Sequence, residues 1–200
     1  DFLIAGRDQE HRDNFVIVEL KQWETAKATD QPDIVSTFTG GRNQNVTHPS
    51  YQAWSYKQVR VDRNEASQQG DFIGHACAYL HNYSRKPDEP LLTPQYQDII
   101  QDAPIYFKDD YQKLQEYLHR HLCNGRGINT MYLIENGRLR PSRKLMDHVA
   151  GLFNGNSEFI LLDEQKVVYE TILAHASNPY RKTVILVEGG PGTGKSVISM

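Results

Sequence analysis

The chain has 200 residues, 38% hydrophobic and 24% charged, with a formal net charge of −3. That balance describes a folded soluble protein of one large domain or two small ones, excludes a disordered chain, and supplies no global basic charge to attract nucleic acid. Two cysteines, Cys77 and Cys123, are too few for a disulfide framework. No apolar run nears the roughly 20 residues of a membrane span and no leader opens the chain, so a reducing cytoplasm is the expected setting.

In chain order, DFLIAG (1–6) and NFVIVELKQ (14–22) are β-rich runs joined by polar RDQEHRD, which predicts a strand–turn–strand unit. TFTGGRNQNVTHP (37–49) reads as a loop. From Ser50 to Gln69 the pattern is helical, with Tyr51, Trp54, Val59 and Val61 among polar residues. FIGHACAYL (72–80) reads as a strand buried on both faces, SRKPDEPLLTP (84–94) as a charged loop, PIYF (104–107) as a short strand and DDYQKLQEYLHRHL (109–122) as a helix.

INTMYLIENGRLR (128–140) predicts a hairpin turning at Asn136-Gly137. PSRKLMDHVAGLF (141–153) predicts a helix with Pro near its start, and FNGNSEF (153–159) a boundary. DEQKVVYETILAHA (163–176) is a helix, and TVILVE (183–188) a buried strand. The chain opens on an apolar run without Met and stops in the first turns of a helix, so the sequence reads as a segment of a longer protein.

GGPGTGKS (189–196) satisfies G-x-x-x-x-G-K-[ST] through Gly189, Gly194, Lys195 and Ser196. Gly190, Pro191, Gly192 and Thr193 complete a loop whose backbone N–H groups can converge on phosphates. Lys195 would reach the β and γ oxygens of ATP, and Ser196 would ligate Mg²⁺.

The second motif is Glu19-Leu20-Lys21. In a strand, residues i and i+2 share a face, so Glu19 and Lys21 project together while Val18 and Leu20 pack on the other side. One carboxylate to hold Mg²⁺ (or Mn²⁺) and one ammonium to steady a phosphate suit phosphodiester hydrolysis. The same spacing at Glu164-Gln165-Lys166 falls on a helix, where the two charges point to different faces.

A second carboxylate is expected on the neighbouring strand. Asp1 heads DFLIAG, with Asp8 and Asp13 in the turn as the alternatives to it. His119, His121 and Cys123 suggest a metal cluster only until they are placed on a helix, where His121 points away from the other two. RLRPSRK (138–144) is a basic stretch that could contact phosphate or be a solvated face.

The D…ELK arrangement resembles the PD-(D/E)xK nuclease superfamily. YQAWSYKQ adds Gln52 and Tyr56 at the Q-x-x-x-Y spacing found in its RecB-like and Cas4-like members. Gln165, ahead of the phosphate loop, resembles the adenine-reading glutamine of superfamily 1 helicases. Together these blocks resemble a bacterial ATPase family in which a nuclease-like domain precedes a Schlafen-type superfamily 1 helicase motor.

The resemblance implies an α/β protein with a restriction-endonuclease-like domain over 1–122, a connector of hairpin and helix over 123–157, and the start of a P-loop NTPase domain over 158–200. It implies Asp1, Glu19, Lys21, Gln52 and Tyr56 as catalytic residues, with Asp1 and Glu19 on metal and Ser196 on the Mg²⁺ of ATP. It implies nucleic acid, DNA ahead of RNA, as partner. Two rival readings are an ATPase switch without unwinding and a nucleic-acid-binding motor whose nuclease fold is inactive.

Overall fold

The computed structural model describes residues 1–138, 160–177 and 182–199. It is a mixed α/β protein. A four-stranded sheet has the order β1 (Phe2–Arg7), β2 (Asp13–Lys21), β6 (Ile73–Leu80), β7 (Ile105–Phe107). The β1–β2 pair is antiparallel and the other two pairs are parallel. Parallel neighbours need a crossover: α1 (Pro49–Arg63) provides it between β2 and β6, and α3 (Gln97–Asp102) lies in the connection from β6 to β7.

The apolar run of β2 follows from cover on both faces. Phe15 and Ile17 face Ala53 of α1 together with Phe72 and Ala76, while Val16 and Val18 face Leu114, Tyr117, Leu118 and Leu122 of α4 (Tyr111–Leu122). A strand buried on both faces reads as a continuous hydrophobic run.

The loop expected over 37–49 is instead half of a three-stranded antiparallel sheet: β3 (Ala26–Ala28), β4 (Ile34–Thr39) and β5 (Arg42–Thr47). Gly40 and Gly41, with φ of 59° and 80°, form a two-residue turn whose left-handed backbone matches the twist of the flanking strands. The polar composition of β5 hid it, because only Gln44, Val46 and Thr47 lose substantial exposure.

The hairpin expected over 128–140 is also overturned. Residues Gly127–Asn136 form helix α5, and Asn136-Gly137 ends that helix, with the Gly137 N–H donating to the Leu133 carbonyl (2.9 Å). An Asn-Gly pair serves a hairpin turn or a helix C-terminus, and packing decides between them. Here Leu133 and Ile134 fill the cluster under β1 and β2. The Thr130 hydroxyl donates to Asp13 (2.8 Å), and the Asn64 amide donates to the carbonyls of Leu133 and Ile134.

A Cβ on Gly127 would overlap the Ala5 carbonyl oxygen. Gly127→Ala is expected to cost about 2 kcal/mol in chemical denaturation, as overpacking against backbone does. A loss under about 0.5 kcal/mol would mean that α5 is not held against β1 in this way.

The helix expected over 50–69 is broken at Asn64, whose side chain caps α2 (Glu65–Gln69) by accepting from Ala66 N–H. Its start is set by Pro49 at the first helical position and by His48 as cap: Nδ1 accepts from the Ser50 N–H (3.2 Å). The Nε2 side of the ring faces the Leu91 carbonyl (3.1 Å), so the two contacts define a neutral ring carrying its proton on Nε2. Burial holds the His48 pKa down to about 4, against an ordinary 6.5, and the Leu91 contact only partly opposes this.

Since the folded value is the lower one, the unfolded chain takes up a proton first as pH falls. Stability from this group is whole above pH 6.5 and lost towards pH 4, by up to roughly 3 kcal/mol. Urea denaturation near neutral pH and at about pH 4 should show this drop in wild type and a smaller one in His48→Asn. Equal drops would remove His48 as the cause.

The strand expected at 183–188 does not form. Those residues are without regular structure, and Val184 and Leu186 are 98% and 79% exposed. An apolar strand is buried only between neighbouring strands and covering helices, and none of the described strands pairs with this segment. The short helix α7 (Lys195–Ile198) follows it, and α6 (Asp163–Ala176) forms as the sequence predicts. The helix and boundary expected over 141–159, and most of the basic stretch 138–144, lie outside the described residues. No helix among the described residues is long and apolar enough to cross a membrane.

Candidate functional site: two motifs joined by one helix

Glu19 and Lys21 end β2 where it emerges from cover. Glu19 is 1% exposed, and its Oε1 receives the Lys21 ammonium at 2.8 Å. Its other oxygen, Oε2, finds no hydrogen-bond partner among the described residues. Burial pushes the Glu19 carboxyl above its ordinary range; Lys21 only partly opposes this, and the charge of Asp163 adds to it. A buried carboxylate with an unpartnered oxygen costs stability, which makes Glu19 a candidate for chemistry.

The helix residues expected beside this strand are there. Lys21 Nζ donates to Gln52 Oε1 at 2.6 Å, and Gln52 Nε2 donates to the Tyr56 hydroxyl at 3.1 Å. Residues i and i+4 lie on one helical face, which is why Gln52 and Tyr56 reach the same spot. Tyr56 is pushed up to about 12, by burial first and then by its bond to Asp163.

Register places Asp1. Phe2 pairs with Val18, so one step further the antiparallel ladder sets Asp1 across from Glu19. Asp8 and Asp13 are excluded, because they sit at the opposite end of the hairpin. Asp8 accepts from Arg12 (2.7 Å), and Asp13 pairs with Arg7 (3.1 Å).

A sixth member was not foreseen. Asp163, at the start of α6, accepts from Tyr56 (2.5 Å) and Gln52 (3.4 Å) through Oδ2 and from Thr47 (3.3 Å) through Oδ1. In sequence it is one of two acids in a first helical turn, a common charge preference at helix starts, and nothing local connects it to Tyr56, 107 residues earlier. Below it, Lys166 pairs with Asp33 (3.3 Å) and Glu170 (2.9 Å) and lies over the Tyr51 ring, and the Tyr51 hydroxyl donates to the Leu161 carbonyl (2.8 Å). The helix that leads to the phosphate loop is thus docked on the sheet domain.

The same first turn touches the phosphate loop. Gln165 Oε1 accepts from Leu162 N–H, and its Nε2 donates to the Thr193 carbonyl (3.2 Å). Within the loop, Gly192 and Gly194 take φ of 76° and 83°, and Lys195 Nζ folds back onto the carbonyls of Gly189 (2.6 Å) and Gly190 (2.7 Å). Ser196 is exposed at the start of α7. A cleft of about 450 Å³ bounded by Gln165, Glu188, Gly189 and Lys195 shares Asp163 and Glu164 with a second cleft of about 560 Å³ bounded by Lys21, Thr47 and Gln52.

The residues fit a divalent cation in part. No three His, Cys, Asp or Glu side chains among the described residues are gathered closely enough to hold a metal unaided. The orphaned Glu19 Oε2 and the register position of Asp1 nevertheless suit Mg²⁺, which is commonly held by one or two carboxylates plus water and substrate phosphate.

Of the other candidates, His121 stacks on His75 (centroids 3.7 Å) and not towards Cys123. Cys77 is fully buried, with its thiol pushed up to about 12 by burial, which marks it as core. No protein-family model matches the chain, and neither does any curated protein or solved structure.

Proposed function

We propose that the sheet domain is a metal-dependent phosphodiesterase joined to a nucleotide-binding phosphate loop. More particularly, the chain belongs to an ATP-driven nucleic-acid translocase or helicase that carries a nuclease domain. The observation that supports this most is the meeting of Glu19, Lys21, Gln52 and Tyr56, drawn from a strand and a helix, around a buried carboxylate with one free oxygen. An ordinary surface ion pair would need neither the burial nor the glutamine–tyrosine relay.

In this reading Asp1 and Glu19 hold Mg²⁺ or Mn²⁺, which when bound supplies an activated water. Lys21, oriented by Glu19 and Gln52, stabilises the charge that develops on the phosphate. Tyr56 and Gln52 position the phosphate beside it. At the other site Gly189, Gly190, Pro191, Gly192, Thr193, Gly194 and Lys195 cradle the phosphates of ATP. Ser196 would meet its Mg²⁺, and Gln165, whose amide is bonded to Leu162 and Thr193 in this structure, would exchange those bonds for an adenine edge. DNA ahead of RNA is the substrate, and the cytoplasm the setting.

The test is cleavage of labelled single- and double-stranded DNA and RNA by the intact protein in Mg²⁺ or Mn²⁺, with and without ATP. Metal-dependent cleavage with nucleic-acid-stimulated ATP hydrolysis supports the reading. ATP hydrolysis without cleavage leaves a motor with a silent nuclease fold, and hydrolysis indifferent to nucleic acid leaves a switch.

A further inference from the structure

The polar groups around Asp163 form a receptor more general than its present occupant. Two hydroxyls and an amide (Thr47 Oγ1, Tyr56 Oη and Gln52 Nε2) converge on one carboxylate, and the Lys21 ammonium lies one hydrogen bond further on, through Gln52 Oε1. Neutral donors converging in this way on an anion, backed by a cation, would receive a phosphate as readily as a carboxylate.

Asp163 itself is not relaxed. Its φ of 29° lies in the left-handed region, which costs a side-chain-bearing residue energy and persists only where surroundings enforce it. Its carboxylate also reaches Tyr56 and Thr47, 107 and 116 residues back along the chain. A residue serving only to start a helix needs neither feature.

We propose that the Asp163 carboxylate occupies the seat of a substrate phosphate, so that nucleic acid reaches Glu19 and Lys21 only when the first turn of α6 lets go. This rests on the nuclease reading above and adds a built-in competitor to it. Release is available from the motor side, because Gln165, two residues on, is bonded to the phosphate loop at Thr193. A nucleotide seated on that loop acts on the same helical turn.

The test measures binding, separate from cleavage. Fluorescence anisotropy of short labelled DNA and RNA oligonucleotides, in Ca²⁺, compares the intact wild type with Asp163→Gly, which accepts the left-handed backbone, and Asp163→Asn, which keeps the shape without the charge. Both variants should bind at least about tenfold tighter, the effect of removing one like charge at contact distance from an entering phosphate. The gain should vanish when Thr47→Val and Gln52→Leu are added to Asp163→Gly.

Unchanged or weaker binding in both variants overturns the proposal, as does a gain that survives loss of the seat donors. Weaker binding would instead make Asp163 a ligand that the site needs. The two readings separate cleanly. If Glu19→Gln abolishes cleavage while Asp163→Gly binds as wild type does, the nuclease reading stands and the competitor falls. If Asp163→Gly tightens binding while no form of the protein cleaves, the seat stands without the nuclease.

Discussion

Glu19→Gln is expected to reduce metal-dependent cleavage by about a thousandfold or more while leaving the melting temperature unchanged or raised. The first half follows from Glu19 being the buried carboxylate of the site, with Oε2 free to face a cation. The second half follows from the direction of its pKa. A carboxyl whose folded value lies above its unfolded value stabilises the fold when protonated, and that contribution is lost as pH rises through the folded value. Above the folded value the ionised form therefore costs stability, and the neutral amide removes that cost.

Lys21 keeps a partner in the variant, since Gln52 still accepts from it. Thermal unfolding and cleavage assayed on one preparation decide the matter. Cleavage within tenfold of wild type sinks the assignment, and loss of cleavage with a collapsed melting temperature would make Glu19 structural.

Lys195→Ala is expected to lower nucleotide turnover by about a thousandfold, the scale of removing a cation from a developing phosphoryl charge. In the structure its ammonium folds back over the loop onto the carbonyls of Gly189 and Gly190, and the side chain is exposed. Deleting it therefore removes charge without removing core. Equilibrium binding of a fluorescent ATP analogue and steady-state hydrolysis check this; unchanged affinity and rate would end the phosphate-loop role.

Much of the candidate site was legible because its chemistry is written in local spacings. Glu19 and Lys21 are i and i+2 on a strand, and Gln52 and Tyr56 are i and i+4 on a helix. Each pair is aimed by backbone period alone. The phosphate-loop motif is legible from its local spacing too, and its Gly192 and Gly194 take backbone that only glycine adopts easily.

Asp163 was not legible, because its partners Thr47, Gln52 and Tyr56 lie more than a hundred residues away and no period spans that gap. The fold failed to show through at Gly40-Gly41 and Asn136-Gly137 for a related reason. Each dipeptide is compatible with two backbone outcomes, and tertiary burial, of β4 in one case and of Leu133 and Ile134 in the other, chose between them. The stretch 183–188 is the converse: strong strand character in the sequence, but no neighbour to pair with among the described strands.

The clamp on α6 has a thermodynamic consequence. Lys166, paired with Asp33 of the loop before β4, ties the helix down just past its first turn, and that turn carries both Asp163 and Gln165. On the proposed function, both ligand sites would act on that one short turn and share a single coupling free energy, which linkage makes symmetric. Any factor by which ATP changed oligonucleotide affinity would then equal the factor by which the oligonucleotide changed ATP affinity, and titrating one ligand in the presence of the other would measure it from either end.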